Sequence, residues 1–414
     1  MITTLKKLGP GLLFAGAAIG VSHLVQSTRA GADFGLGLLW ALLLATLFKY
    51  PFFQYGTRYA SATGESLLDG YKKLGTPILI IYYILSFATI FTIQTAVTIV
   101  TAGLATTLFG DFSSIVIGDT TISSIQIWTV IITIICLAIV LRGKYKLLDV
   151  LMKVIIITLS ISTIGAVIVA LTNTTEPLNF TQVFPKGTIE IGFLAAFMGW
   201  MPAPLDIAVA QSLWTVEKKK DTKSFNTKTA LFDFNIGYIS TIILGVCFVF
   251  LGYLIMYGSG ETFSNSGASF SNQLIQMYTS SLGNWAYIII GIAAFTTMFS
   301  TTLTTLDASP RTMHRSSQLL FKKEFSKGFL FWASILAIGT IIIFFAFASE
   351  MGLLVKIATI LSFITAPFYA TINYWLIRSK HMPQNAKPQR WLHLLSWAGI
   401  IFLTSFSIWY LTTL

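Results

Sequence analysis

Residues 199–206 read Gly-Trp-Met-Pro-Ala-Pro-Leu-Asp and lie in the middle of an apolar run that is long enough to cross a membrane. Proline has no backbone N–H and clashes with the preceding helical turn, so a regular helix cannot continue through Pro202 and Pro204. Residues 16–23, Gly-Ala-Ala-Ile-Gly-Val-Ser-His, interrupt an earlier apolar run. The sequence therefore predicts two membrane helices that are each broken near the middle.

The rest of the chain consists mainly of further apolar runs of similar length. Of its 414 residues, 55% are hydrophobic and 10% are charged, whereas a typical soluble domain has about 25% charged residues. A helix of about 20 residues crosses the hydrocarbon layer of a bilayer. We therefore predict an all-α integral membrane protein, one transmembrane domain over 1–414, with eleven spans. The predicted spans are 9–30, 36–57, 76–108, 123–141, 146–171, 190–214, 229–257, 282–306, 328–347, 351–377 and 391–412.

The predicted loops alternate in charge along the chain. Residues 216–228 form a lysine-rich loop that is predicted to be solvated, and 258–280 are predicted to form an exposed outer loop. The loops at 110–122, 172–189, 258–280 and 348–351 contain Lys186 as their only basic residue. Basic loops stay in the cytoplasm, so the N-terminus is predicted inside and the C-terminus outside. This alternation explains the net charge of +11, and nucleic-acid binding is not expected.

The two broken spans are the first and the sixth, which are equivalent positions in two copies of five helices. Five crossings invert the second copy, so we predict a 5+5 inverted repeat with repeat one at 9–171, repeat two at 190–377 and an extra helix at 391–412. Paired interruptions of this kind indicate the midplane binding site of a secondary active transporter working by alternating access. Two simpler explanations remain open, a packing face at Gly16 and Gly20 and an ordinary proline kink.

The sequence contains none of the common catalytic motifs. It has no Gly-x-x-x-x-Gly-Lys loop, no His-Glu-x-x-His and no Cys-x-x-Cys, and its four histidines are scattered. Cys136 and Cys247 lie in apolar segments, which indicates packing residues. We therefore predict a transporter of the cell membrane that is not an enzyme and has no cofactor. Its expected partners are a small inorganic ion and the lipid bilayer, and the oligomeric state is not predicted.

Several segments resemble the Nramp (natural resistance-associated macrophage protein) metal transporters. The first helices carry Gly9-Pro-Gly-Leu-Leu-Phe14, the stretch from Arg29 to Trp40, and the stretch Phe53-Gln-Tyr-Gly-Thr-Arg to Asp69. Met201-Pro202 is similar to the start of the Met-Pro-His motif in the sixth helix of that family. The resemblance implies a LeuT-type fold with an eleventh helix, and proton-coupled uptake of Mn²⁺ or Fe²⁺.

The metal-binding motifs of the family are only partly present. Its Asp-Pro-Gly-Asn motif falls on Gly20-Val-Ser-His23, so a hydrogen atom replaces the carboxylate and an imidazole replaces the amide. The histidine of Met-Pro-His falls on Ala203, while Met201 keeps its place, and Gln94 lies in the third span where the family has acidic residues. A bare divalent cation at mid-bilayer needs anionic ligands. The resemblance therefore implies a divergent member whose transition-metal site is not retained.

These departures favour a small anion such as bicarbonate, carried with Na⁺ or H⁺. Helix N-termini, the Ser22 hydroxyl and the His23 imidazole suit an oxyanion. His23 is also a candidate for proton coupling, or else a packed hydrogen-bonding residue. Asp206 is either the cap of the second half-helix or a substrate ligand. Two rival predictions are a divalent-cation (Mg²⁺ or Mn²⁺) transporter that uses Asp206, and a non-transporting membrane scaffold or sensor. The predicted substrate-binding residues are Gly20, Ser22, His23, Gln94, Met201, Ala203 and Asp206.

A coupling-ion site is predicted from polar residues of the seventh and eighth spans. In LeuT-type proteins the eighth helix often supplies Na⁺ ligands, so the resemblance implies this role for Thr301 and Thr302, with Asn235 in the seventh span. The alternative is interhelical hydrogen bonding. The ion pairs expected at the cytoplasmic helix ends are Asp233 with Lys228 and Asp307 with Arg311.

Overall fold

The structure is a computed structural model that describes residues 9–117, 120–142, 145–174, 177–222, 225–260, 263–264, 267–346 and 351–413. These residues are mainly helical, with one antiparallel hairpin formed by β1 (Ile115–Ile117) and β2 (Thr120–Ile122). A π-helical segment, Ser22–Ser27, lies between the first two helices. The helices of the first half are α1 (Pro10–Ala18), α2 (Thr28–Phe34), α3 (Leu39–Thr63), α4 (Leu67–Leu74), α5 (Thr76–Phe109), α6 (Ser124–Arg142) and α7 (Tyr145–Asn173).

The second half of the chain is also helical and contains the second predicted break. Short 3₁₀ turns occur at Asn284–Ala286 and Gln384–Ala386. The helices of this half are α8 (Thr188–Trp200), α9 (Ile207–Asp221), α10 (Thr227–Met256), α11 (Gly267–Leu282), α12 (Tyr287–Phe321), α13 (Gly328–Ala346), α14 (Met351–Arg378) and α15 (Arg390–Leu411).

Most of these helices have the length and apolarity of membrane spans. Within the described residues, seven helices meet both criteria by themselves, namely α5, α6, α7, α10, α13, α14 and α15. Pro10–Ala18 and Ser22–Phe34 form an eighth span that is bent by 47°. The remaining three predicted spans correspond to α8 with α9, to α3 and to α12, and the last two carry buried polar side chains such as Lys49 and Thr301. The chain is therefore a multi-pass membrane protein.

The predicted outer loop at 258–280 is only partly a loop. Its first residues are described as turns, but α11 begins at Gly267 and continues to Leu282. One face of α11 buries Phe270 and Leu274 and packs against α5. The prediction was wrong for this segment because the polar residues that precede α11 obscure an apolar face with helical spacing.

Two predicted helix ends and one short helix also differ from the sequence interpretation. The helix α12 continues to Phe321, well beyond the predicted end at residue 306, and α9 continues to Asp221 inside the predicted loop. The short α4 begins with a capping box in which Ser66 and Asp69 exchange hydrogen bonds. Polar extensions of this kind leave the membrane, so hydropathy alone does not locate their ends.

The first span packs against α10 through direct backbone contact. A Cβ atom at Gly11 would lie 2.1 Å from the Asp233 carbonyl oxygen, so the two helices approach to a distance that only glycine permits. Gly252 has the same role beyond the break, where a Cβ would lie 2.1 Å from the Thr28 carbonyl oxygen. These contacts place both halves of the first span along one continuous helix.

The two predicted ion pairs have different outcomes. Arg311 forms an ion pair with Asp307, as predicted, and the Trp214 indole N–H donates to the same carboxylate at 3.2 Å. The predicted role of Asp233 was wrong, because its carboxylate accepts hydrogen bonds from the backbone N–H groups of Gly9 at 3.0 Å and Gly11 at 2.8 Å. Asp233 thus caps the N-terminus of α1, where a negative charge is favourable.

Candidate functional site

The first break follows the end of α1. Its last backbone bonds run from Ile19 N–H to the Ala15 carbonyl at 2.7 Å and from Gly20 N–H to the Ala18 carbonyl at 3.0 Å. A Cβ at Gly20 would lie 2.6 Å from Thr301 Oγ1, so the Thr301 side chain fills the place of a side chain at this position. The Thr301 hydroxyl lies 3.1 Å from the Gly16 carbonyl oxygen, within hydrogen-bonding distance of the end of α1. The end of α1 is thus satisfied by a neutral donor.

His23 connects the first break to α10. Its Nε2 lies 2.9 Å from the Thr241 carbonyl oxygen, and its Nδ1 lies 2.7 Å from Ser22 Oγ. The Ser22 hydroxyl also lies 2.6 Å from the Ala18 carbonyl oxygen. The imidazole is fully buried and both of its nitrogen atoms have protein partners. His23 therefore resembles a packed hydrogen-bonding residue more than a ligand that faces a substrate.

The second break follows α8, whose last helical bond runs from Met201 N–H to the Phe197 carbonyl at 3.1 Å. The carbonyl of Met198 would next accept from residue 202, but Pro202 has no N–H. The peptide bond between Met201 and Pro202 is cis. The chain continues without regular helix until α9 begins at Ile207. Carbonyl groups at the end of α8 therefore need donors from another element.

A buried lysine supplies these donors. The Lys49 Nζ lies 2.7 Å from the Met198 carbonyl oxygen, 2.7 Å from that of Gly199 and 3.3 Å from that of Ala203. Lys49 lies in the middle of α3 and has no exposed surface. The sequence interpretation did not include this residue. The available signal was a lone lysine within the apolar run Leu-Trp-Ala-Leu-Leu-Leu-Ala-Thr-Leu-Phe-Lys of α3, since an ionisable residue at membrane depth usually has a function.

Asp206 lies directly before α9, on the other side of the second break. Its side chain forms no capping hydrogen bond to that helix, although it occupies the N-cap position. Its Oδ1 atom is buried and has no hydrogen-bond partner in the part of the chain that the structure describes. Asp206 and Lys49 are residues of opposite charge type at the same break, since Lys49 contacts the Ala203 carbonyl oxygen in the unwound segment. An unpaired carboxylate oxygen at this depth is costly unless a further group binds it.

A cavity connects the two breaks. Its volume is about 50 Å³, and one water molecule needs about 10–15 Å³ on the same measure. Asp206 is the only Asp, Glu, Lys, Arg or His side chain among the described residues that line it. The polar lining is completed by Ser22, Tyr82, Ser86, Thr301, Thr304, Thr305, Ser309 and Thr312. Apolar side chains such as Val21, Ile90 and Val97 complete the lining, so the site is a small chamber in which hydroxyl groups and one carboxylate lie among apolar residues.

The structure brings only part of the predicted substrate site together. Ser22 and Asp206 line the cavity, and Gly20 lies beside Thr301, which also lines it. Ala203 contributes its carbonyl oxygen to Lys49. The Met201 side chain packs against α10, since a Cβ at Gly245 would lie 3.3 Å from its Sδ atom.

Gln94 also lies outside the cavity lining. Its Nε2 lies 3.2 Å from the Thr302 carbonyl oxygen and 3.3 Å from Thr98 Oγ1, while its Oε1 is buried without a hydrogen-bond partner in the described chain. It therefore connects α5 to α12 beside the site.

The predicted coupling-ion residues lie in three different places. Thr301 contacts the end of α1, whereas the Thr302 hydroxyl lies 2.7 Å from that of Thr101 on α5. Asn235 accepts a hydrogen bond at 2.9 Å from the Tyr50 hydroxyl. These residues make interhelical hydrogen bonds, and their predicted common Na⁺ site is not assembled. The described residues also contain no group of three or more His, Cys, Asp or Glu side chains that could hold a metal ion.

Two broken helices that meet at a polar chamber inside a helical membrane bundle define a secondary transporter of the LeuT type. The family profile described as natural resistance-associated macrophage protein-like matches residues 11–413. The chain therefore belongs to the Nramp family of transporters, and the predicted fold class is confirmed. The boundaries of the two repeats stay a prediction.

Individual relatives agree with this assignment. The chain is 37% identical to an uncharacterized protein of Pasteurella multocida (strain Pm70), with 97% of this chain and 90% of that protein covered. It is 22% identical to the divalent metal cation transporter MntH of Staphylococcus saprophyticus, again over 97% and 90%. A mutant of the Eremococcus coleocola manganese transporter has a similar structure, with a TM-score of 0.74, 15% identity, and coverage of 98% of this chain and 86% of that one.

Proposed function

We propose that this protein is a secondary active transporter of a divalent metal cation, with Asp206 as the charged substrate ligand. The proposal is carried by one observation, the buried and unpaired Oδ1 of the only charged side chain that lines the cavity in the described structure. A divalent cation would supply the missing partner of this oxygen. The hydroxyl groups around Asp206, including those of Ser22, Thr304 and Thr305, are further oxygen ligands for a hard cation.

The lining of the cavity favours a cation over the predicted bicarbonate. No Lys, Arg or His side chain is among the described residues that face the chamber. His23, the predicted anion donor, directs its nitrogen atoms to Thr241 and Ser22. Lys49 directs its ammonium group to backbone carbonyls. The comparisons also give no support to bicarbonate, and two relatives are named as transporters of divalent metal or manganese.

The chemistry of the ligands narrows the class of cation. Soft thioether and imidazole ligands select late transition metals, but Met201 packs against α10 and Ala203 has no imidazole. A single carboxylate with hydroxyl groups and retained water suits Mg²⁺ or Mn²⁺. We therefore propose these two ions as substrates, carried into the cell in partly hydrated form. Coupling to H⁺ or Na⁺, and a cytoplasmic N-terminus, remain part of the proposal.

Uptake into proteoliposomes tests the proposed substrate. We expect the wild-type protein to take up Mn²⁺ or Mg²⁺, and Asp206→Asn to reduce this uptake by roughly 10- to 100-fold because the charged ligand is lost. Asp33→Asn is the matched control, since Asp33 is exposed at the end of α2, and it should retain full uptake. Full uptake by Asp206→Asn would contradict the proposal. Bicarbonate flux without divalent-cation flux would support the anion, and absence of any ion flux would support a scaffold.

A further inference from the structure

The end of α8 carries a positive charge that is part of the protein. We propose that the Lys49 ammonium group is a built-in cation that fills the cation position at the second helix break, so that no free coupling ion binds there. The proposal concerns the coupling of the transporter. The uptake experiment that tests it rests on the proposed function, whereas the thermal-stability experiment does not depend on transport.

The Lys49 side chain has as many acceptors around it as an ammonium group has donors. Lys49 Nζ lies within hydrogen-bonding distance of three carbonyl oxygens, those of Met198, Gly199 and Ala203. An ammonium group has three N–H donors, whereas a neutral amine has two and a lone pair. All three contacts are satisfied only by the ammonium form. The geometry therefore places a full positive charge at the end of α8.

The three acceptors of Lys49 lie at the end of a helix and in the unwound segment that follows it. The carbonyls of Met198 and Gly199 belong to the last turn of α8, and that of Ala203 lies in the unwound segment. The C-terminus of a helix carries partial negative charge. In inverted-repeat transporters, unwound carbonyls and half-helix C-termini are the groups that coordinate a coupling cation. Lys49 reaches into such a ligand set from α3.

Lys49 and Asp206 are residues of opposite charge type at the second break. Asp206 lies at the end of the unwound segment, whose Ala203 carbonyl oxygen is contacted by Lys49. Burying a lone carboxylate at this depth would be costly without a nearby positive charge. In its ammonium form Lys49 supplies that charge from within the protein, whereas a diffusible ion can leave the site.

The first break provides the contrast. There the end of α1 is contacted by the Thr301 hydroxyl, a neutral group. The two half-helix ends are therefore satisfied by different chemistry, one by a hydroxyl and one by an ammonium. The difference indicates that the charge at the second break has a role beyond filling space.

Removing the lysine side chain tests the inference. Lys49→Ala removes a propylammonium group and leaves the three carbonyls free for a small cation. We expect Na⁺ or added propylammonium to raise the thermal stability of this variant, while tetramethylammonium does not. Divalent-cation uptake by the variant should become dependent on Na⁺, with a stimulation of roughly 5- to 10-fold. The wild-type protein and Lys49→Arg should show neither the stabilisation by propylammonium nor this added stimulation by Na⁺.

Two control variants distinguish the loss of the Lys49 charge from a general effect on folding. Lys219→Ala removes another lysine that donates to a carbonyl, that of Ser61 at 2.6 Å, outside the break, and it should gain no response to Na⁺ or propylammonium. Lys49→Gln keeps N–H donors without the charge, and it remains informative if Lys49→Ala cannot be purified. Wild-type behaviour of Lys49→Gln, or a folded Lys49→Ala that responds to neither cation, would overturn the inference. Failure of divalent-cation uptake in the wild type would instead contradict the proposed function, and the stability measurement would still decide the role of Lys49.

Discussion

Thr301 leaves no room for a carboxylate side chain at Gly20 in the first break. The space next to the Gly20 Cα is filled by the Thr301 side chain, whose Oγ1 and Cγ2 would lie 2.6 and 2.7 Å from an added Cβ. Such distances are far below ordinary van der Waals contact. A side chain at position 20 therefore requires a smaller residue at position 301, and the two positions have to be changed together.

Substitutions at positions 20 and 301 should restore a carboxylate to the first break. Gly20→Asp alone should destabilise the protein because its Cβ overlaps Thr301. In Gly20→Asp with Thr301→Ala only the Thr301 Cβ remains, 3.0 Å away, so stability should recover. The double variant should bind Mn²⁺ roughly tenfold more tightly, because metal affinity rises with ligand charge. Thermal unfolding and calorimetric Mn²⁺ titration measure the two effects, with Thr301→Ala as the control. Equal Mn²⁺ affinity in the double variant and the control would refute this role for the packing.

The sequence indicated Asp206 but not Lys49, for a physical reason. Asp206 follows two prolines, so its place beside a break is a local property of the chain. Lys49 lies in an unbroken helix, and its carbonyl partners are 149 to 154 residues away. Met201 was predicted as a ligand from its place in the family motif, and Asn235 as a polar residue of the seventh span. Their contacts with α10 and with Tyr50 depend on packing that no local pattern contains.

The helix α1 depends on Asp233 of α10 for its first turn. Both carboxylate oxygens accept backbone N–H groups, at 3.0 and 2.8 Å, and the residue is buried. Asp233→Ala should therefore lower the free energy of unfolding by at least about 2 kcal/mol, since a hydrogen bond to a charged group contributes about 1.5–3 kcal/mol. Asp233→Asn keeps one acceptor oxygen and should lose less. Thermal unfolding in detergent measures both, and equal stability of Asp233→Ala and the wild type would exclude the capping role.

Breaks were easier to predict than helix ends. Pro202 and Pro204 lack N–H groups, which ends α8 whatever the surroundings are, and the glycines of the first span permit the close packing seen there. The existence of α11 was missed because it is stabilised by the contact of its apolar face with α5. Elements that depend on such contacts are not visible in local composition.

The cavity extends from the breaks along parts of α5 and α12. Its lining runs on α5 from Val97 to Tyr82 and on α12 from Thr301 to Thr312, toward the helix ends that the charge pattern predicts in the cytoplasm. In the predicted orientation, this part of the chamber lies on the cytoplasmic side of the breaks. Alternating access requires a second state in which this passage is closed.

Thiol labelling tests the passage and the predicted orientation. Ser309 lines the cavity, and we expect Ser309→Cys, with Cys136→Ala and Cys247→Ala, to react with a membrane-impermeant thiol reagent from the cytoplasmic side. Substrate Mn²⁺ should slow the reaction because it occupies the chamber. Ala337→Cys is the control, since Ala337 is buried in α13 away from the cavity, and it should stay unlabelled. Labelling of Ser309→Cys only from the outside would reverse the predicted orientation.

The contacts of α10 have a further consequence for how the molecule moves. Gly11 lies against Asp233 before the first break, and Gly31 lies against Val249 after it. Because α10 is one uninterrupted helix of 30 residues, it supports both halves of the first span along its length. The bend of 47° is thus held by backbone contact with α10 on both sides. We therefore expect the first span and α10 to move together during transport and to slide against their other neighbours.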